Sequence, residues 1–344
     1  MTNRTEDLKV AVIGMGRIGE LHAQNILRHT PEVSLVAISD PLQAQISKIG
    51  PKERVKSYLD YRKMLQIEQP DAVLICTPND THFEIIEACC SRGIHIFCEK
   101  PLETRLDTID QIQKLVDKFD IHLQVGFNRR FDSRFAELAE RVRLGEIGDL
   151  RTIKIISRDP APPPLSYIQS SGGLYVDMTI HDFDMSRFVS HSNVSKVSAV
   201  GGALFSEDIR NSQDIDTTLI TLVMENDTLV SIDNCRHSKP GYDQRLEVFG
   251  SEGMLQAQNK RISELVYHNE TGRIDSPPFD FFLERYEYSY VSEIQEFFRC
   301  LLQNEPPSVS VEDAKHATAI AIAAKLSLEE ERIVKMSEII EVGT

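Results

Sequence analysis

Along the first 126 residues, short apolar runs alternate with longer mixed segments. The apolar runs are Leu8 to Ile13, Val33 to Asp40, Ala72 to Cys76, Ile94 to Cys98 and Ile121 to Gly126, each strand-sized and apolar enough to be buried on both faces. Glu20 to Arg28, Thr81 to Arg92 and Leu106 to Phe119 read as helices between them, with Thr81 as an N-cap. Strand–helix units joined by short connections predict a doubly wound parallel sheet, whose ligands bind at the carboxyl ends of the strands. After about Phe127 the pattern changes. Leu150 to Ser157, Val194 to Phe205, Ile215 to Met224, Thr228 to Asn234, Gln244 to Gly250 and Ile262 to Tyr267 are rich in β-branched residues. Turns such as Glu225-Asn-Asp and Gly250-Ser-Glu-Gly253 divide them, with no helix between most, so an α+β domain with a large open, mostly antiparallel sheet is expected. Helices over Tyr288 to Gln303 and Val311 to Glu331, separated by Pro306-Pro307, close the chain. The expected division is residues 1–127 and residues 128–344. Asp159-Pro-Ala-Pro-Pro-Pro164 is a stiff loop suited to a site rim or a subunit contact.

Composition narrows the function. A chain of 344 residues is long enough for two cores, and 41% hydrophobic with 26% charged residues is ordinary for a soluble protein. No apolar run approaches the roughly 20 residues that span a bilayer. The start, Met1-Thr-Asn-Arg-Thr-Glu-Asp-Leu-Lys9, is polar, so a cytoplasmic location is expected. A net charge of −15 argues against nucleic acid and leaves a neutral small molecule open. None of the six cysteines forms a C-x-x-C pair, and Cys76 and Cys98 sit in apolar runs, which predicts reduced thiols and no zinc bound through sulfur. The sheet's exposed face predicts a homo-oligomer.

Directly after the first strand comes Gly14-Met-Gly16-Arg17-Ile18-Gly19, then a helix, a second strand and Asp40. Gly14 permits the tight turn, Gly16 lets backbone amides approach a pyrophosphate, and Gly19 lets the helix pack close to the sheet. The helix N-terminus offers N–H groups and a positive dipole end to phosphates. Asp40 would accept hydrogen bonds from adenosine ribose hydroxyls and repel a 2′-phosphate, which predicts NAD over NADP. Thr77, Asn79, Glu99, Lys100 and Pro101 fall on the same sheet edge and complete the expected cofactor crevice. Arg17 faces phosphate or solvent, His82 caps or packs near the cofactor, and His22 is a packing residue. Tyr286, Tyr288 and Tyr290 are expected in packing or an interface.

Three motifs together, the glycine turn, Glu99-Lys100-Pro101 and Gly172-Gly-Leu-Tyr-Val-Asp177-Met-Thr-Ile-His181-Asp-Phe-Asp184, resemble the glucose–fructose oxidoreductase/inositol dehydrogenase/MocA (Gfo/Idh/MocA) family over nearly the whole chain. Gly126-Phe-Asn-Arg-Arg-Phe131, Ser157-Arg-Asp-Pro160 and Gly241-Tyr-Asp-Gln-Arg245 resemble its inositol 2-dehydrogenase branch. The resemblance implies NAD-dependent oxidation of a cyclic polyol, myo-inositol to 2-keto-myo-inositol (scyllo-inosose), by a tetramer. It also implies that Lys100 lies beside the nicotinamide with a cis bond to Pro101, and that Asp177 and His181 are catalytic. Arg130, Asp159, Asp184 and Tyr242 would then join Lys100, Asp177 and His181 in holding substrate hydroxyls.

The residues make chemical sense of this. If Leu174 to Val189 is helical, Asp177 and His181 are i,i+4 neighbours and Asp184 continues their face among apolar positions. Alcohol oxidation needs a base for the hydroxyl proton, and His181 titrates near working pH. Asp177 could fix its tautomer or bind a substrate hydroxyl, and Lys100 could stabilise the alkoxide-like charge or take the proton itself. Zinc at His181 and Asp177 lacks further ligands at suitable spacing, so no metal is expected. The competing readings are an NAD-binding regulator without catalysis, related enzymes for scyllo-inositol or another sugar, and an exported enzyme with bound NADP. Lys100 and His181 speak against the first, and Asp40 with the polar start against the last.

Overall fold

The structure, a computed structural model, describes residues 7–47, 49 and 55–340. The chain divides into two compact units, Met1–Asn128 with Tyr288–Lys315, and Arg129–Glu287 with His316–Thr344.

In the first unit, β1 (Leu8–Ile13), β2 (Val33–Ser39), β3 (Lys56–Tyr58), β4 (Ala72–Ile75), β5 (His95–Glu99) and β6 (Leu123–Gly126) form one parallel sheet in the order β3-β2-β1-β4-β5-β6. The order reverses between β1 and β4, which puts the glycine turn after β1 at the sheet's switch point. Every residue of β4 and β6 is buried, as expected for strands covered on both faces. Strand β3 and the helix Tyr61–Glu68 add to the elements expected from the pattern; Asp60 starts that helix by accepting the Arg62 N–H at 2.9 Å.

The expected boundary needs correction, because the helix Glu287–Gln303 packs with the nucleotide unit. Its Ile294, Phe297, Phe298 and Leu301 recur at helical spacing and share one core with Leu8, Val10, Leu74 and Phe97. Val125 in β6 also donates its N–H to the Val309 carbonyl at 3.1 Å. A segment more than 150 residues downstream thus closes one side of the first sheet, a contact that a cut at residue 127 divides.

In the second unit, β7 (Leu150–Arg158), β8 (Val194–Gly202), β9 (Thr217–Met224), β10 (Leu229–Cys235), β11 (Asp243–Gly250) and β12 (Met254–Ala257) join β15 (Val334–Lys335) in a seven-stranded sheet. Its order is β12-β11-β7-β10-β9-β8-β15; β7 and β10 run parallel and every other pair is antiparallel. The expected strand Ile262 to Tyr267 is displaced: β13 (Val266–Asn269) and β14 (Gly272–Asp275) form a separate, largely exposed hairpin. Burial alternates along β9, where Thr218, Ile220, Leu222 and Met224 face inward while Leu219 is 55% exposed. Val200 and Phe249 are exposed as well. The helices Ser133–Arg143 and Ile180–Ser190 lie against the sheet and each other.

All six cysteines are unpaired. Burial raises the Cys76, Cys89 and Cys98 thiols, and raises Cys90 to about 11 and Cys300 to about 12. Among the described residues no helix is long and apolar enough to cross a membrane.

Candidate active site

The three glycines after β1 differ in what surrounds them. Gly14 has φ +89°, and a Cβ there would press to 2.7 Å on the Cys76 carbonyl. A Cβ on Gly19 would collide with the Gly14 carbonyl oxygen and reach 3.3 Å from Cys76 Cβ. A Cβ on Gly16 would meet nothing within 4 Å. Two glycines therefore serve the fold, while the third keeps open ground at the start of the helix Arg17–His29, where no side chain caps the N-terminus. Arg17 is exposed and Ile18 half-buried there. Asp40, after β2, is 9% exposed; its Oδ2 accepts the Met15 N–H and its Oδ1 the Leu42 N–H, both at 2.8 Å. The acid assigned to the ribose therefore also braces the glycine turn. Turn, uncapped helix and acid fit NAD: the glycines would hold the pyrophosphate and Asp40 the ribose.

The loops after β4 and β5 are joined by His82. Its Nε2 lies 3.0 Å from the Thr77 carbonyl, and its Nδ1 lies 3.0 Å from the Pro101 and 3.3 Å from the Leu102 carbonyl. The ring is buried, so the expected role near the cofactor becomes a crosslink between two loops. Thr81 does not cap the following helix; its hydroxyl bonds Thr77 Oγ1 and the Pro78 carbonyl, both at 2.7 Å. Asn79 opens a short 3₁₀ turn before that helix. The Lys100–Pro101 bond is cis, as the resemblance implied.

Glu99 has a neighbourhood the pattern did not reveal. The His22 ring, fully buried, donates from Nε2 to Glu99 Oε1 at 2.9 Å, and Glu293 Oε1 lies 3.8 Å from the same nitrogen. Glu293 is fully buried, and burial, reinforced by the Glu99 charge, pushes its carboxyl well above the usual range. The available signal was a charged residue on the apolar stripe Tyr290, Ile294, Phe297, Leu301 of its helix.

In the second unit the expected helix Leu174 to Val189 is broken into two geometries. Gly172 and Gly173, with φ +86° and +85°, lead into a π-helical turn, Tyr175–Thr179, and then the α-helix Ile180–Ser190. Asp177 sits in the π turn and His181 at the start of the α-helix, both half-buried. Regular i,i+4 geometry across the pair is therefore replaced by a wider turn of a kind frequent at functional sites. Asp177 has other partners: Tyr167 Oη donates to its Oδ1 at 2.8 Å, and Arg236 Nη1 to its Oδ2 at 3.0 Å.

Buried ion pairs surround this segment. Arg130 grips Asp184 with two hydrogen bonds, Nε to Oδ2 at 2.8 Å and Nη2 to Oδ1 at 2.5 Å. The two expected substrate contacts thus face each other. Arg129 donates to Asp182 at 2.6 Å and to Ser157 Oγ at 3.0 Å, and Asn234 Nδ2 donates to the other Asp182 oxygen at 2.8 Å. Burial opposes the Arg129 charge, but Tyr286, Asp182, Tyr242 and Asp159 together raise its pKa. Burial also pushes the Tyr242 phenol well up, so it stays a neutral hydroxyl, edge-on to Tyr286 at 6.1 Å. Asp159 is half-buried, with its N–H on the Cys235 carbonyl at 2.9 Å. Tyr286 and Tyr290 are buried, and Tyr288 is 73% exposed. Arg129, Asp182, Arg236 and Tyr167 had been given no role.

Residues 8–127 match the family described as "Oxidoreductase family, NAD-binding Rossmann fold" (GFO_IDH_MocA), and residues 135–256 match the "GFO/IDH/MocA C-terminal domain". A myo-inositol 2-dehydrogenase of Thermotoga maritima is 44% identical over 334 residues, 97% of this chain and 100% of that protein. A myo-inositol dehydrogenase structure from Corynebacterium glutamicum superimposes with a TM-score of 0.91 at 37% identity, covering 96% of this chain and 99% of its own. A scyllo-inositol dehydrogenase from Lactobacillus casei, solved with NAD(H) and scyllo-inositol, also gives 0.91, at 29% identity over 96% of this chain and 100% of that one.

Proposed function

Since the chain belongs to the GFO/IDH/MocA oxidoreductase family and is an NAD-dependent dehydrogenase acting on CH–OH groups, we propose that it oxidises myo-inositol to 2-keto-myo-inositol (scyllo-inosose). One observation carries the choice of a neutral polyol. Each of the three aspartates Asp177, Asp182 and Asp184 is matched by an arginine, Arg236, Arg129 and Arg130, at 2.5–3.0 Å. With those charges balanced inside the protein, this region favours a ligand that brings hydroxyls rather than a carboxylate or phosphate. The relatives supply the ring: myo-inositol for one at 44% identity and scyllo-inositol for another at 29%.

Bound NAD supplies the hydride acceptor. His181 takes the hydroxyl proton as hydride leaves the same carbon, and Lys100 donates a hydrogen bond to the reacting oxygen, opposing its alkoxide-like charge. Asp177, Asp184, Arg130, Asp159 and Tyr242 orient the remaining hydroxyls. Gly14, Gly16, Gly19, Asp40, Thr77, Asn79 and Glu99 shape the cofactor edge, and the Asp40 charge disfavours a 2′-phosphate. Per turnover, one alcohol and one NAD⁺ yield one ketone, one NADH and one proton.

NADH formation at 340 nm tests this with NAD⁺ or NADP⁺ against myo-inositol, scyllo-inositol, glucose and xylose. NAD⁺-dependent turnover of myo-inositol is expected, with kcat reduced roughly 10²- to 10⁴-fold in Lys100→Ala and His181→Ala. Preference for scyllo-inositol would remove the substrate assignment and keep the chemistry. NAD binding without any turnover would favour a regulatory protein.

The working form is proposed as a cytoplasmic homo-oligomer, a tetramer by family resemblance. Six unpaired cysteines suit a reducing compartment, and the face of the seven-stranded sheet bearing Val200, Leu219 and Phe249 suits burial against a second copy. Light scattering at the monomer mass would refute the oligomer.

A further inference from the structure

A fully buried guanidinium needs a reason to be where it is. Arg236 follows β10 and is completely inaccessible, although burying an unmatched charge is costly. Two acids face it, Asp177 Oδ2 at 3.0 Å from Nη1 and Asp214 Oδ2 at 3.9 Å from Nη2. Its backbone is fixed as well, the N–H bonding the Asp216 carbonyl at 2.8 Å.

Those acids define the entry to the π turn. Asp214 Oδ1 accepts the Leu174 N–H at 3.0 Å, and a Cβ on Gly173 would come within 3.1 Å of the same oxygen. The Asp177 N–H then bonds the Gly173 carbonyl at 2.9 Å. The entry of the segment is held through Asp214 and its middle residue is Asp177, with Arg236 facing both acids. Tyr167, 48% exposed, closes the second oxygen of Asp177 at 2.8 Å.

Resting on the function proposed for Asp177, we infer that Arg236 is the positioning residue of the active site. It holds one oxygen of the Asp177 carboxylate and sets the π turn through Asp214, while Tyr167, from the short helix Leu165–Ile168, holds the other oxygen. Arg236 is fully buried, so its effect must pass through Asp177 and the turn that carries it. Lysine keeps the charge but loses the fork that lets one side chain address two acids.

The test is a double-mutant cycle on the full-length enzyme, with Arg236→Lys and Asp177→Asn alone and combined, read two ways. In kcat/KM, Arg236→Lys should lose roughly 10- to 100-fold, mostly in kcat. It should add little in the Asp177→Asn background, while NADH affinity by fluorescence stays within about twofold. Tyr167→Phe should lose less, through the same coupling. In urea midpoints, the two substitutions should likewise be non-additive. Independent multiplication of the kcat/KM losses, or wild-type turnover in Arg236→Lys, would overturn the inference. Should the wild type oxidise no polyol, the substrate proposal falls, and the urea cycle still decides: coupling supports the clamp and additivity removes it.

Discussion

The two units prepare for their ligands by opposite means. In the nucleotide unit the decisive positions lack side chains: Gly14 and Gly19 are glycine because anything larger collides, and Gly16 faces open space. In the second unit the decisive positions are charges, each held by a partner far along the chain: Arg129 with Asp182, Arg130 with Asp184, Arg236 with Asp177. One region is shaped by the absence of side chains, the other by matched charge. Damage to the first should act through volume, and damage to the second through unpaired ions.

The strongest way to break this contrast is Arg130→Ala. It leaves Asp184, 1% exposed, without its two guanidinium bonds, and should destabilise by about 3–5 kcal/mol in urea titrations. A loss no larger than that of a surface arginine would show that charge pairing does not organise the second unit. A middle-sized effect separates two glycines. Gly19→Ala forces the turn apart, lowering stability by about 1–3 kcal/mol together with NAD affinity. Gly16→Ala should leave Tm unmoved and still weaken NAD binding, because its methyl occupies only ligand space. Equal Tm for both variants would contradict the division of labour among the glycines.

The smallest expected effect sharpens the comparison from the other side. Glu293 is a fully buried acid of the nucleotide unit, facing His22 and Glu99. Its folded-state pKa is raised, so the native state keeps a proton that the unfolded chain releases above the ordinary carboxylate range. Stability should therefore fall as pH rises from that range toward the folded value. Glu293→Gln mimics the neutral acid, so Tm near pH 5 should barely change, while the decline toward pH 8 should flatten. A large loss at both pH values would mean that Glu293 is ionised in the folded protein.

The same contrast explains what the sequence could reveal. The glycine turn and Asp40 lie within one strand–helix–strand unit, so local spacing was enough to place them. Most strands of both sheets were legible because burial alternates or runs on within a few residues, as along β9 and β4, whereas the short edge strands β3, β12 and β15 carry too few residues for a pattern. Arg236 was not legible: its partner stands 59 positions away, and an arginine after a strand is ordinarily solvated. Nor was the break in the helix carrying Asp177 and His181, because a π turn and an α turn draw on similar residues. The helix Glu287–Gln303 was recognised as an element, but its unit depends on tertiary packing that periodicity does not encode.

His82 has a mechanical consequence. The buried His82 ring fills the space between the Thr77 and Pro101 carbonyls, so the loops after β4 and β5 both pack on one side chain. A push on the first loop is transmitted through a flat, stiff ring to the peptide joining Pro101 to Leu102, one residue beyond Lys100. Two segments separated by an entire helix and strand are thus coupled through one side chain, and the backbone next to Lys100 is braced against the loop that carries Thr77.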